Sequence, residues 1–115
     1  MILRVVITEQ AEHEMRTAFE WWAEHRSKRQ AERWYAGLAK AIADLSENPQ
    51  RHGQSREADR FAYEIRGLLF GLGRRPTHRA VFTIRGEEVV VLTVRHLAQQ
   101  DLSPDGIAKL ITALN

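Results

Sequence analysis

The sequence contains no cysteine, which excludes a disulfide framework, a thiolate nucleophile and a cysteine-ligated zinc site. Long apolar runs are also missing. Stretches such as Val89–Leu92 last only a few residues, whereas a membrane-spanning helix needs about 20. The amino-terminal residues lack the basic region, long apolar segment and small-residue cleavage site of a signal peptide. We therefore expect a cytoplasmic protein without a membrane segment.

Motifs that hold metals or cofactors are absent as well. None of the five histidines belongs to an H-x-x-x-H or H-E-x-x-H arrangement. The glycines at 71 and 73 lie between two predicted strands rather than at the start of a helix, so they do not predict a dinucleotide site. A P-loop and a G-x-S-x-G nucleophile elbow are missing too. The sequence predicts no metal and no cofactor.

The residues that are present have the composition of one folded domain. Of the 115 residues, 43% are hydrophobic and 28% are charged, and we predict a single domain over residues 1–115. Residues 9–48 hold 6 Lys/Arg and 8 Asp/Glu, whereas residues 49–97 hold 9 Arg and 5 Asp/Glu. Because arginine grips phosphate or carboxylate at two points, the second region suggests recognition of such groups. Ordinary solubilising surface charge is the alternative.

Two helices are predicted from apolar spacing and capping residues. A β-branched run at Ile2–Ile7 predicts a strand, after which Thr8 caps a helix over residues 9–25. Ser27 begins a capping-box pattern for a second helix, which stops at Asn48–Pro49. The short gap between the two helices predicts an antiparallel hairpin.

The rest of the chain alternates turns and strand-like runs. Residues 49–60 predict a loop, and strands are predicted at Phe61–Phe70, His78–Arg85 and Glu88–Leu97. Ser103-Pro104 predicts the start of a last short helix, which docks on its own sheet or in a groove of another chain. The order β-α-α-β-β-β-α predicts an α+β domain, in which the N-terminal strand and helix hairpin pack on an antiparallel β-sheet.

Polar side chains at alternate strand positions are the remaining candidates for chemistry. Alternation places Glu64 and Arg66 on one face of their strand, and it places Arg79 on one face of the next strand. In the last strand Arg95 and His96 point to opposite faces unless a bulge intervenes. A one-sided sheet shows the same pattern, so solvated strand charge and a hydrogen-bonded strand-end histidine are the alternatives.

Three segments carry a recognisable pattern when they are taken in order. They are Glu64–Leu68, His78–Phe82 and Val89–Leu97, and the Arg-His ending of the last is the most specific part. Together they resemble the RelE/ParE toxin superfamily over roughly residues 3–102. The resemblance implies a RelE/ParE-like fold and a cytoplasmic toxin of a type II toxin–antitoxin module, often held in a complex with a small antitoxin.

The resemblance also implies one of two targets. RelE-like members cleave messenger RNA on the ribosome, whereas ParE-like members bind and poison DNA gyrase without a reaction of their own. For RNA cleavage, the first hypothesis, the resemblance assigns Arg66 and Arg79 to the phosphate charge and His96 to the leaving oxygen. Glu64, the nearest carboxylate in phase with Arg66, is the candidate base. We expect these groups to converge on one pocket. RNA or phosphate binding is expected of Arg74, Arg75, Arg95 and His78.

The gyrase-binding alternative needs an exposed interface rather than a proton shuttle. Its candidate anchors are Trp21, Leu72, Arg74 and Arg75. An inactive family member is the third alternative. We expect an antitoxin partner that lays an amphipathic helix or an extended segment over the apolar surface and the basic face. We expect no membrane partner.

Overall fold

The structure, a computed structural model, describes residues 2–58 and 64–112. The elements within these ranges follow one another in the predicted order and confirm the α+β class. They are β1 (Arg4–Ile7), α1 (Glu9–His25), α2 (Lys28–Ala43), β2 (Ile65–Phe70), β3 (His78–Arg85), β4 (Glu88–His96) and α3 (Pro104–Thr112).

The element bounds lie close to the predicted ones. The first helix and the strand β3 have the predicted ends, and β4 ends one residue earlier than expected. The second helix ends at Ala43, before the predicted stop at Asn48–Pro49, and a 3₁₀ turn, Asp44–Ser46, follows it. A second 3₁₀ turn, Pro49–Arg51, lies in the predicted loop. Residues 61–63 of the predicted strand and Leu114 of the predicted last helix lie outside the described residues.

The four strands form one sheet in the order β1-β4-β3-β2. The strands β2, β3 and β4 are a meander of antiparallel neighbours, as predicted. β1 joins the other side of β4 in parallel, with Arg4 opposite Glu88 and Ile7 opposite Val91. The sheet is therefore mixed: its antiparallel part is the predicted meander, and the parallel pairing of β1 with β4 was not predicted. Tight turns impose antiparallel pairing on consecutive strands only, and most of the chain separates β1 from β4.

The helix hairpin covers one face of the sheet and forms the larger core. Thr8 and Ser27 cap the two helices through their side-chain oxygens, as predicted. From the hairpin Met15, Trp34 and Leu38 are buried against the sheet. Burial of one such side chain contributes about 1.5–3 kcal/mol, so this face fixes the hairpin on the sheet. The sheet residues of this core are Leu68, Ala80, Phe82, Val89, Val91 and Val94.

The short helix α3 packs on the opposite face of its own sheet and not in a groove of another chain. Its Ile107 is fully buried, and Ile111 is nearly so. They contact a second, smaller core that includes Val81, Val90 and Leu92. Consecutive residues of β4 thus enter different cores, as strand alternation requires.

An irregularity in the meander shifts the register of β4. Phe82 lies opposite Val91, but the preceding Val81 lies opposite Thr93, so Leu92 is an extra residue on β4. Beyond this bulge Arg95 pairs with Arg79 and His96 with His78. The bulge lies before these residues, so the predicted alternation of Arg95 and His96 stands.

Candidate functional site

Arg79 lies in a buried ion pair on the α3 side of the sheet. Its Nη2 is 2.5 Å and its Nη1 2.8 Å from the two carboxylate oxygens of Glu57. Arg79 is 2% exposed and Glu57 is completely buried. The carboxylate also accepts hydrogen bonds from the Ser55 hydroxyl at 2.5 Å and the Leu102 amide at 2.8 Å. The guanidinium is therefore already occupied by an anion from its own chain.

The surroundings of Glu57 keep it ionised. Burial alone would raise the pKa of this carboxyl, but hydrogen bonds from Arg79, Ser55 and the Leu102 amide, with the charge of Arg79, lower the pKa to about 2. A buried charge is tolerated only when it is paired and hydrogen-bonded in this way. The pair consequently ties together β3, the loop before β2 and the segment that leads into α3.

Arg66 belongs to a different environment on the other face of the sheet. It lies opposite Phe82 in the ladder, and Phe82 is part of the hairpin-side core. Its Nη1 donates to the Gln50 carbonyl at 3.1 Å and to the His52 carbonyl at 2.6 Å, and its Nη2 pairs with Glu64. Burial, followed by the charges of Arg51 and Arg66, lowers the pKa of the His52 ring. Arg66 thus holds the loop after α2 against β2.

The expected convergence of the candidate catalytic groups is not found. Arg79 lies opposite Leu69, whereas Arg66 lies opposite Phe82. The three-residue separation along each strand places the two guanidinium groups on opposite faces. His96, opposite His78, is adjacent in register to the Arg79–Arg95 pair but points to the other face of the sheet, and it lies at the opposite end of the ladder from Arg66. Glu64 is exposed and pairs with Arg66 alone among these groups.

The structure does bring the two candidate histidines of the strand ends together. The rings of His78 and His96 are 5.0 Å apart between centroids, and His78 also lies 4.8 Å from Trp34. Burial, with the charge of His96, lowers the pKa of His78 to about 4. The His96 ring is exposed, and its Nδ1 accepts the Ala98 amide at 3.0 Å. In the neutral ring the proton is therefore on Nε2.

Of the other candidate phosphate ligands, one is hydrogen-bonded within the chain and two are exposed to solvent. Arg95 is half-buried, and its Nη2 donates to the Gln100 carbonyl at 2.8 Å. Arg74 and Arg75 are exposed in the turn between β2 and β3. Neither forms an ion pair with another residue in the described ranges. The exposed pair therefore remains available to a partner.

A groove that the sequence analysis did not predict lies between α1 and the ends of β3 and β4. Its cavity volume is about 670 Å³. Its apolar wall includes Trp22 and Val94, and Trp21 at its side is 47% exposed. The α1 residues of the groove follow helical spacing beside the buried stripe, and of these residues the sequence predicted only Trp21 as a candidate anchor. The groove is lined by His13, Glu14, Thr17, Ala18, Trp21, Trp22, Arg26, Thr77, His78, Val94, His96 and Gln99.

No group of three or more histidine, aspartate or glutamate side chains within the described ranges is arranged to hold a metal ion. No helix in the described part of the chain is both long enough and apolar enough to cross a membrane.

The α+β fold of the chain is of the RelE/ParE type. The structure is similar to that of the chromosomal ParDE TA system from P. aeruginosa, with a TM-score of 0.66 and 15% identity over 83% of this chain and 96% of that chain. It is also similar to the structure of a mutant of the E. coli toxin RelE in the free state, with a TM-score of 0.59 and 13% identity over 100% of both chains. A comparison with proteins of curated function gives no match.

The sequence narrows this class to one family. The profile of the ParE toxin of the type II toxin–antitoxin system parDE matches residues 5–101. The match spans most of the 115 residues, and the chain belongs to the ParE toxin family. It is accordingly a toxin of a type II toxin–antitoxin system, with an antitoxin as its partner.

Proposed function

We propose that this toxin stops growth by binding and poisoning DNA gyrase, without catalysing a reaction of its own. The observation that carries the proposal is the separation of the expected catalytic groups. Arg79 is sealed in its pair with Glu57 on one face of the sheet, and Arg66 is engaged by two carbonyls and Glu64 on the other. The match to the ParE family favours the same target class.

The chemistry of RNA cleavage explains why this separation counts against a nuclease. Stabilisation of the phosphate needs preorganised cations that point at one position. A phosphate could reach Arg79 only by displacing Glu57, which is fully buried and accepts four hydrogen bonds. Removing such a partner from a buried cation is costly.

Binding to a protein needs exposed anchors instead. Aromatic and arginine side chains are the usual anchors of such interfaces. Trp21 is half-exposed beside the groove, and the neighbouring turn presents Arg74 and Arg75 to solvent. Leu72 is half-buried and packs on the hairpin-side core, so in this proposal it supports the turn from below.

A supercoiling assay tests the target. We expect the purified toxin to inhibit supercoiling of relaxed plasmid by gyrase while messenger RNA stays intact in an in vitro translation reaction. The double variant Arg74→Ala/Arg75→Ala should raise the inhibitory concentration at least about tenfold, since hot-spot residues contribute about 1–2 kcal/mol or more each. The control variant Arg29→Ala/Arg33→Ala removes the same charge from the exposed outer surface of α2. It should change the inhibitory concentration less than about twofold.

Cleavage of messenger RNA is the second candidate, because one observation favours it. His96 is exposed and lies against His78 beside the groove, where Arg26 and His13 are also found. Histidine is suited to acid–base work near pH 7. We would reject the gyrase proposal if the wild-type toxin cut messenger RNA at mapped sites and left gyrase unaffected. Loss of these cuts in His96→Gln would support RNA cleavage as the function.

The proposal includes an acidic antitoxin that meets the toxin in the cytoplasm. The toxin has a pI of about 9.4, and its arginine-rich region from 49 to 97 offers cations to carboxylates. Gyrase and the ribosome are cytoplasmic targets, so both candidate activities require that location.

A further inference from the structure

The strand β4 extends well beyond the strand beside it. β4 has nine residues and β1 has four, and β1 pairs only with Glu88–Val91. After Ile7 the chain turns at Thr8 into α1. Within the described ranges, the outer edge of β4 from Val94 to His96 therefore lies beside no strand.

Backbone amides of β4 point to this unpaired edge. Successive amides of a strand alternate between its two edges. The Leu97 amide donates to the Thr77 carbonyl on the β3 side at 2.9 Å. By alternation the amides of His96 and Val94 face the side that β1 has left open.

Two flexible side chains occupy these amides. Glu14 accepts the Val94 amide at 3.1 Å and the Thr93 hydroxyl at 2.7 Å, and Gln99 accepts the His96 amide at 2.7 Å. Glu14 is half-buried and Gln99 is exposed. Carbonyl oxygens of an incoming strand would satisfy the same donors, so an exchange of partners leaves no amide unpaired.

The groove beside this edge supplies room and charge. It is the cavity of about 670 Å³ described above, and Val94, His96 and Gln99 are part of its lining. The Trp21 side of the groove is apolar, whereas Arg26 and the Nε2–H of His96 offer donors to an anion. When an incoming carbonyl takes the Val94 amide, the Glu14 carboxylate keeps the Thr93 hydroxyl as its donor. The lining therefore complements an extended segment that carries both apolar and acidic side chains.

We propose that the antitoxin inserts an extended segment along the outer edge of β4, in line with β1, as a further strand of the sheet. Backbone hydrogen bonds to Val94 and His96 give the register, and carboxylates of the segment meet Arg26 and His96. This inference rests on the antitoxin partnership and is independent of whether the target is gyrase or RNA.

Hydrogen exchange of the ¹⁵N-labelled toxin tests the added strand. The probe is the complex of the toxin with its cognate antitoxin, compared with the toxin alone. The amides of Val94 and His96 should exchange at least about tenfold more slowly in the complex, because strand pairing protects backbone amides. A stable complex in which these two amides exchange at the free rate would overturn the inference. A helix of the antitoxin seated in the groove would give that result.

A blocking variant gives a second, independent readout. Thr17 is exposed on α1 and lines the groove, so Thr17→Trp fills the space that the strand needs. It should raise the Kd of the complex at least about tenfold. Ala36→Trp places the same side chain on the exposed face of α2 and should change the Kd less than about twofold. Wild-type affinity of Thr17→Trp would contradict the inference.

The outcomes separate this inference from the proposed function. Failure of the two proteins to form any complex would contradict the antitoxin partnership and the inference together. A normal complex with unprotected amides would overturn the inference alone, whatever the supercoiling assay shows.

Discussion

Glu57 shows how one side chain can decide the role of another. Its carboxylate has no exposed surface and accepts two hydrogen bonds from Arg79, one from Ser55 and one from Leu102. An arginine at this strand position would be a phosphate ligand if it faced an open cleft. Facing Glu57, it is a structural cation that fastens a loop and the α3 segment to β3.

The first prediction follows from that role. Arg79→Ala should lower the free energy of unfolding by about 3–5 kcal/mol, because it leaves a buried carboxylate without its partner. Urea denaturation followed by tryptophan fluorescence measures the loss. Arg29→Ala, which removes an exposed arginine, should change stability by no more than about 0.5 kcal/mol.

Replacing both members of the pair sharpens the same test. Glu57→Leu combined with Arg79→Met should cost less than Arg79→Ala alone, since no unpaired charge remains in the interior. If Arg79→Ala were as stable as Arg29→Ala, the pair could not be what holds these segments together.

The second prediction concerns His78 and pH. The folded pKa of about 4 lies below the ordinary value of 6.5, so between these values the unfolded chain binds more protons than the folded one. The free energy of unfolding should therefore fall as pH falls through this window, by about 2 kcal/mol between pH 7 and pH 5.

Urea titrations at pH 7, 6 and 5 check the direction and the size of this change. His78→Gln should remove most of the slope, whereas His25→Gln alters an exposed ring and should keep it. A slope unchanged in His78→Gln would rule out His78 as its source. The loss due to Glu57, whose pKa is lowered from 4.5 to about 2, belongs to the more acidic window between those values.

At the scale of the elements, the N-cap residues of α1 and α2 differ in the hydrogen bonds that they make. The Ser27 hydroxyl accepts the Gln30 amide at 3.1 Å in an exposed position. The Thr8 hydroxyl accepts the Ala11 amide at 3.2 Å and also donates to the Leu92 carbonyl at 3.1 Å. Thr8 thus caps α1 and at the same time anchors it at the bulge of β4, where β1 ends.

The third prediction compares these caps. Ser27→Ala should cost about 1 kcal/mol, the usual value of an N-cap. Thr8→Ala should cost about 2 kcal/mol, because the hydrogen bond to β4 is lost as well. Thermal or urea unfolding of the two variants measures the difference, and equal losses would mean that the second bond of Thr8 adds nothing.

Across the molecule, the distribution of charge decides how partners are met. The net charge is only +2, yet nine arginines and five acidic residues occupy the region from 49 to 97. Three of these arginines donate hydrogen bonds to other groups of the same chain, namely Arg66, Arg79 and Arg95. Arg74 and Arg75 stay at the surface, so the basic surface is narrower than the sequence suggests.

The fourth prediction is a salt effect on the complex with the antitoxin. Exposed charge pairs are screened by ions, so the Kd should rise about tenfold or more between roughly 50 and 500 mM NaCl. Stability of the toxin alone should change much less, because the Arg79–Glu57 pair is buried and screened weakly. Calorimetric titration measures the first and urea unfolding the second. A Kd independent of salt would contradict an electrostatic interface.

Local patterns in the amino-acid sequence were enough to predict the elements of this protein and its family. Caps such as Thr8 and Ser27, the apolar periodicity of the helices and the β-branched strands depend on residues a few positions apart, which a sequence displays directly. The family pattern depends likewise on the order of short segments. These signals predicted the hairpin, the meander and a short last helix.

The sheet order, the faces and the site depend instead on contacts between distant parts of the chain. The parallel pairing of β1 with β4 joins residues more than eighty positions apart, and no local preference encodes it. Strand alternation was predicted, but the relative register that puts Arg66 and Arg79 on opposite faces was not. The partner of Arg79 comes from a loop 22 positions away. A polar side chain gains its role from whatever the folded chain brings against it, which is a property of packing and not of its neighbours in sequence.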